Sequence, residues 1–201
     1  MIMHIRFADL SIYIAHAAFW GVFVIAKIAG RRTKQSEPDA PVAHEKRTAK
    51  YSRLLVAIHF VAFGFMYAGI GNAEFARRAA DWFAGQRVAG AVIIGIGAAL
   101  GASALLYFRS WRIRASLNEG HQLATGGPFA VLRHPIYMAL NLLALGSAIW
   151  IPSVMVWAGF VLMLLGSDLR ARAEEALLAE TFGTDYQAYR KKTRRFIPWI
   201  Y

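Results

Sequence analysis

The chain has 201 residues, enough for about one domain. Hydrophobic residues make up 57% and charged residues 17%, where a soluble domain is about half apolar and about a quarter charged; the excess is gathered into runs. The absence of cysteine excludes disulfides, thiolate metal sites and cysteine nucleophiles. The net charge of +11 sits beside apolar runs, which suits anionic lipid headgroups and argues against a nucleic-acid partner.

Five apolar runs follow one another at 10–28, 54–70, 88–108, 136–150 and 153–167. A helix needs about 20 apolar residues to cross the ~30 Å hydrocarbon core. The first and third meet that length, the second falls slightly short, and the last two are shorter still. The first run is too long for a signal-peptide core and has no small-residue cleavage site after it, so it is expected to stay as a span. The polar, charged stretch 31–53, with Pro38 and Pro41, is expected to be a mobile cytoplasmic loop. Residues 72–87 read as a short interfacial helix with Phe75, Trp82 and Phe83 facing lipid. In the third run Gly90, Gly95, Gly97 and Gly101 permit close helix packing. The last two runs meet at Ile151-Pro152 and are expected to form a helical hairpin over 136–167; a bent re-entrant pair is the alternative.

Charge sets the orientation. With an outside N-terminus, nineteen of the 23 Lys and Arg residues fall at 27–53, 109–133 and 170–201, and only Arg6, Arg77, Arg78 and Arg87 fall outside. That asymmetry favours a five-span, all-α bundle with a cytoplasmic C-terminus. A chain rich in Ala, Arg and Gly looks bacterial, which places the bundle in an inner membrane.

The region from His121 carries the chemistry. It reads HQLATGGPFAVLRHPIY and runs into the fourth apolar run. Gly126-Gly127-Pro128 breaks any helix and makes a compact loop. Arg133-His134-Pro135 then sets a cation and an imidazole before a helix start, with proline in its first turn, where free backbone N–H groups face an anionic or electron-rich ligand. Beyond the hairpin, Arg170 and Glu174 are one helical turn apart and share a face, while Asp168, Arg172 and Glu175 point elsewhere. Arg172 and Glu175 read as a solvated face. On residues alone, a charged cytoplasmic helix and a headgroup anchor explain the pattern equally well.

The ordered set GPFAVLRHPIY, a hairpin, EEALLAETFGTDYQAYR and a terminal RFIP resembles the isoprenylcysteine carboxyl methyltransferase family and, more distantly, the phospholipid N-methyltransferases of the same superfamily. The resemblance covers roughly 109–198. It divides the chain into a three-span membrane region (1–108) and a methyltransferase core (109–201), with a C-terminal cytoplasmic helix closing a cofactor pocket. It implies an S-adenosylmethionine-dependent enzyme that methylates a carboxylate on a lipophilic or lipidated substrate. The resemblance assigns His121, Gln122, Leu123 and Ala124 to the cofactor, largely through backbone groups. Phe129 stands where the family usually has tyrosine, so it can stack but not donate a hydroxyl. His134, Pro135, Ile136 and Tyr137 complete the wall, Glu174 takes the cofactor's α-ammonium, and Arg170 takes the substrate carboxylate. At Arg114 the family can have a neutral cofactor-contacting residue.

Other readings stay open. His134 can bond backbone at the helix start, and Tyr137 can anchor at the interface. Phe182, Tyr186 and Tyr189 recur near helical spacing and read as a packing stripe; Phe196, Ile197 and Trp199 are placed to close over the cofactor. His16 and His59 lie within apolar runs with no acidic partner in other spans, which favours helix-to-helix hydrogen bonds over a metal or proton relay. Phospholipid or amine N-methylation is one alternative activity. A membrane reductase using NADPH, with Arg112 or Arg114 on the 2′-phosphate, is another. A transporter fits poorly, for want of paired intramembrane charges.

Overall fold

The computed structural model describes residues 7–32, 45–72, 85–107 and 123–201. They form helices α1 (Phe7–Arg32), α2 (Glu45–Gly71), α3 (Gln86–Tyr107), α4 (Pro135–Trp150) and α5 (Val154–Lys192), with a 3-10 turn at Gly127–Ala130 before α4. Among the described residues the one extended pairing is a parallel bridge between Leu132 and Arg194. Every apolar run is a helix, as a chain that must satisfy its backbone inside lipid requires. Among the described residues, three helices are long and apolar enough to cross a membrane, at Leu10–Ala29, Gln86–Tyr107 and Val154–Lys192, while Leu55–Gly71 and Pro135–Trp150 are shorter. The 16 residues of α4 reach only ~24 Å at 1.5 Å per residue. Large apolar side chains such as Ile25, Phe60 and Val88 point outward and exposed, as a lipid-facing surface demands.

Helix ends differ from the sequence expectation in two places. The expected loop 31–53 shrinks from both sides, because α1 runs to Arg32 and α2 begins at Glu45; Ala, Arg, Lys and Glu favour helix beyond the apolar stretch. Residues 33–44 and the core of the expected interfacial helix, with Phe75, Trp82 and Phe83, lie outside the described residues. At the other end, the fifth run and the C-terminal helix are one element. The 39 residues of α5 extend ~58 Å, so about half of the helix projects beyond the bilayer core. Its single break is Gly183, at φ 49° and ψ −118°, a conformation open to glycine and costly to other residues. The bend lets Tyr186 and Tyr189 bury.

The hairpin forms as expected, α4 and α5 joined by Ile151, Pro152 and Ser153. Ser153 caps α5, its side chain accepting from the Val156 N–H at 3.3 Å. α3 packs chiefly on α4, α2 on α5, and α1 on α3. The first of these contacts is backbone against backbone. A methyl added to Gly90 would lie 2.6 Å from the Gly146 carbonyl oxygen, and one added to Gly146 would lie 2.7 Å from that of Gly90. Gly97 and Gly101 abut Ala139 and Phe23, whereas Gly95 has open space around it. Gly90→Ala is therefore expected to destabilise the protein by about 1–3 kcal/mol, since helix backbone cannot yield as a side chain can, while Gly95→Ala is neutral. Melting temperatures of the two variants in detergent measure the difference.

A buried polar node ties α1, α2 and α4 together. Ser147 donates its hydroxyl to the Leu143 carbonyl at 2.7 Å, so its oxygen accepts from His16 Nε2–H at 2.8 Å. His16 Nδ1 then accepts from the Tyr67 hydroxyl at 3.0 Å, whose oxygen accepts from Trp20 Nε1–H at 2.9 Å. These bonds are mutually consistent only for the neutral Nε2–H imidazole. His16 thus makes the helix-to-helix bonds expected of it. His59 of α2 does so too, with Nε2 3.4 Å from Ser167 Oγ on α5.

Candidate active site

The site is built where the chain enters α4. Gly126 and Gly127 lie against Tyr107 at the end of α3, where a methyl on Gly126 would come within 2.2 Å of the Tyr107 hydroxyl and one on Gly127 within 2.9 Å of its ring. The turn that follows buries Phe129, whose carbonyl accepts the Tyr189 hydroxyl at 2.8 Å. The distal part of α5 is thereby fastened over the loop, the packing role expected of Tyr186 and Tyr189.

Next the C-terminal tail runs alongside residues 131–134. The Arg194 N–H donates to Val131 O at 3.1 Å, Arg133 N–H to Arg194 O at 2.7 Å, and His134 N–H to Arg195 O at 3.2 Å. The tail turns back on itself through Phe196 and Ile197 N–H bonds to Tyr201 O, each 2.7 Å. Phe196 packs near the His134 ring, centroids 6.1 Å apart, so one of the three expected closing residues reaches the site. Ile197 and Trp199 are exposed.

Two neighbouring carboxylates on α5 then take different environments. Glu175 was expected on a solvated face; it is buried at 5% exposure. Arg195 grips it in bidentate fashion, Nε to Oε1 at 3.0 Å and Nη2 to Oε2 at 2.9 Å, and Arg133 Nε adds a third bond at 2.9 Å. Arg133 also donates to Thr193 O at 2.6 Å. The sequence reading erred because it placed α5 alone in water, whereas the tail and the loop cover that flank. Arg195 continues to Asp168 at 2.9 Å, which also receives Arg172 and the Tyr201 hydroxyl. Arg172 is exposed, as expected.

Glu174 faces the other way, with 23% of its side chain exposed. It receives the Tyr137 hydroxyl and Arg170 Nε at 3.4 Å, the face-sharing pair the spacing called for. The Arg170 guanidinium lies over the Tyr137 ring, 5.3 Å from its centroid. His134 stacks on Tyr137 at 5.6 Å and sits between the carboxylates, Nδ1 3.6 Å from Glu174 and Nε2 3.4 Å from Glu175. Thus His134, Tyr137, Arg170 and Glu174 come together, and Pro135 starts the helix beside them. Ile136 and Phe129 belong to the main apolar core. Leu123 and Ala124 lie half-buried at the loop's entry, and His121, Gln122, Arg112 and Arg114 fall outside the described residues.

Burial disfavours charge on His134, but hydrogen bonds and the charges of Glu174 and Glu175 outweigh it and raise the imidazole pKa above 6.5. Burial opposes ionisation of Glu175 too, yet His134, Arg195 and Arg133 hold its carboxyl well below 4.5. A raised folded-state histidine pKa stabilises fully below the unfolded value and loses that contribution as pH rises through the folded one; a depressed carboxyl pKa stabilises above its unfolded value and loses it as pH falls. Both contributions are complete between 4.5 and 6.5. The melting-temperature gap between the protein and its His134→Asn variant is expected to be widest in that window and to narrow on going alkaline; a pH series of melts measures it.

Residues 86–185 match the phospholipid methyltransferase family, a stretch that contains Tyr137, Arg170, Glu174 and Glu175. The chain is 36% identical over 95 residues to a protein-S-isoprenylcysteine O-methyltransferase of Schizosaccharomyces pombe, covering 44% of this chain and 38% of that one. It is 29% identical over 89 residues to a probable protein-S-isoprenylcysteine O-methyltransferase of Oryza sativa subsp. indica, covering 44% and 47%. Over these residues the chain is similar to this methyltransferase family. The matched segment spans less than half the length of these curated relatives of the family. A solved structure, a eukaryotic intramembrane Ras methyltransferase (isoprenylcysteine carboxyl methyltransferase), shares the fold with TM-score 0.59 at 19% identity, over 98% of this chain and 70% of that one. The fold shared with that structure therefore includes α1 and α2, which lie outside the family match. The Arg133–Glu175–Arg195 clamp reaches outside it as well, because Arg195 lies in the tail.

Proposed function

We propose that the chain is an S-adenosylmethionine-dependent methyltransferase that O-methylates the carboxylate of a lipophilic, isoprenylcysteine-like substrate at the membrane interface. The observation that carries this reading is the unequal treatment of the two carboxylates. Glu175 is closed off by two guanidinium groups, whereas Glu174 stays partly open beside aromatic rings and an arginine. An open carboxylate next to π faces suits a cationic, amine-bearing cofactor, so the residues fit the group.

Glu174 would hold the α-ammonium, oriented by the Tyr137 hydroxyl and His134. Phe129, Leu123 and Ala124, with His121 and Gln122, would border the adenosyl part. The cofactor supplies a methyl group on a sulfonium, already activated for transfer. Arg170 would hold the acceptor carboxylate through its planar fork, leaving one oxygen free to attack. A carboxylate is ionised at neutral pH, so no side chain needs to act as general base. The task left to the protein is alignment and exclusion of water. The apolar exterior lets a lipophilic acceptor enter sideways from lipid while the cofactor arrives from the side of the C-terminal tail, which charge asymmetry assigns to the cytoplasm of a bacterial inner membrane.

Amine methylation is less suited, because the acceptor nitrogen must lose a proton and Arg170 beside it would not help. Calorimetry of the purified protein with S-adenosylmethionine, S-adenosylhomocysteine and NADPH tests the reading. Binding of the first two is expected; binding of NADPH alone would replace it with a reductase.

A further inference from the structure

One helical turn deeper than the Arg170–Tyr137–Glu174 group lies a second polar cluster with no assigned task. Asn141 of α4, four residues after Tyr137, is buried at 3% exposure. Its Oδ1 accepts the Ser167 hydroxyl at 2.9 Å, and Ser167 sits three residues before Arg170. His59 of α2 approaches Ser167 Oγ at 3.4 Å, and its ring lies 6.0 Å from that of Tyr137, so the two storeys are continuous. Asn141 Nδ2 has no hydrogen-bond partner.

An amide hydrogen left unpaired inside an apolar helix bundle is costly. Within the His16–Ser147–Tyr67–Trp20 chain each such group is paired. His59 Nδ1 must donate to the Leu55 carbonyl, 3.1 Å away, which leaves Nε2 of the neutral ring an acceptor. If Ser167 donates to that nitrogen, the amide turns over and leaves an oxygen unpaired in place of the nitrogen. In either orientation one polar atom of Asn141 is left unpaired inside the bundle, one turn along α4 from Tyr137, and a hydroxyl, both donor and acceptor, satisfies it both ways.

We infer that Asn141, supported by Ser167 and His59, is a recognition subsite for a hydroxyl on the lipophilic tail of the carboxylic acid held by Arg170. This rests on the proposed methyl transfer for the placement of the carboxylate. The hydroxyl stands roughly one helical turn, ~5.4 Å, from the carboxylate, so hydroxylated fatty acids fit and unsubstituted ones leave the amide unpaired.

The test compares 6-hydroxydodecanoate with dodecanoate on the full chain in lipid nanodiscs, by equilibrium binding and, separately, by methyl transfer. The protein is expected to bind the hydroxy acid about tenfold more tightly, the effect of one buried hydrogen bond gained. Asn141→Leu, close in volume, is expected to bind both acids equally while retaining affinity for dodecanoate. Equal binding of the two acids by the unsubstituted protein overturns the subsite and needs no variant; so does a preference that survives Asn141→Leu. Preferential binding with no methyl transfer to either acid keeps the subsite and removes the proposed reaction, which separates the two failures.

Discussion

Glu174→Gln is expected to lower affinity for S-adenosylmethionine by about ten- to a hundredfold and to abolish methyl transfer, with the fold intact. The amide keeps the side chain's shape, and Tyr137 can still donate to its oxygen. The negative charge that the proposed site sets opposite the cofactor's ammonium is lost, and charge-assisted hydrogen bonds contribute about 1.5–3 kcal/mol. With 23% of its side chain exposed, Glu174 can lose charge without stranding a sealed ion pair. Arg170→Ala provides the contrast. It should leave cofactor affinity near that of the unsubstituted protein while removing turnover of carboxylate acceptors, because in the proposed site the guanidinium serves the acceptor. Calorimetry and a radiolabelled methyl-transfer assay on both variants read the split. Unchanged cofactor affinity in Glu174→Gln would take the ammonium contact away from this residue.

Those two residues were legible in the sequence because a spacing of four on an α-helix is geometry that tertiary packing does not alter. Apolar runs likewise located the five α-helices among the described residues, since backbone in lipid has few alternatives. The loop was legible through Gly126-Gly127-Pro128, whose residues cannot continue a helix. His134 and Tyr137 stood out through the family resemblance, and the structure brings both to Glu174.

Glu175 was not legible. Its neighbours in sequence suggested a solvated flank, and its partners Arg133 and Arg195 are 42 and 20 residues away. Nothing in local periodicity says that a C-terminal tail returns to lie beside the loop at 131–134. The terminal RFIP and the two arginines ahead of it held the only hint, a cluster of cations with no matching acid nearby. Asn141 was missed for a different reason. A single amide in an apolar run reads as tolerated polarity, and its significance appears only when Ser167 and His59 are seen around it. Helix ends were misjudged where hydropathy alone marked them, because α2 and α5 continue through polar residues of high helix propensity.

The buried clamp at Glu175 yields the larger expected effect on stability. Glu175→Ala is expected to cost about 3–5 kcal/mol, since Arg133 and Arg195, each with only 10% of its side chain exposed, would keep their charge without the carboxylate that compensates it. Glu175→Gln should cost less, because the amide oxygen can still accept from one guanidinium. The damage should not stay local. Arg195 holds the tail, the tail's carbonyls at Arg194 and Arg195 hold the Arg133 and His134 N–H groups, and His134 borders Glu174. Releasing the tail would therefore loosen the proposed cofactor site although Glu175 itself faces away from Glu174. In a thermal melt, Glu175→Ala should unfold many degrees below the unsubstituted protein, and limited proteolysis should cut its C-terminal tail first. A bound cofactor should restore part of the lost melting temperature, because ligand binding selects the closed arrangement. A Glu175→Ala variant that melts with the unsubstituted protein and keeps its tail protected would show that the tail is held by the backbone pairing at 131–134 alone, leaving the guanidinium clamp no part in shaping the site.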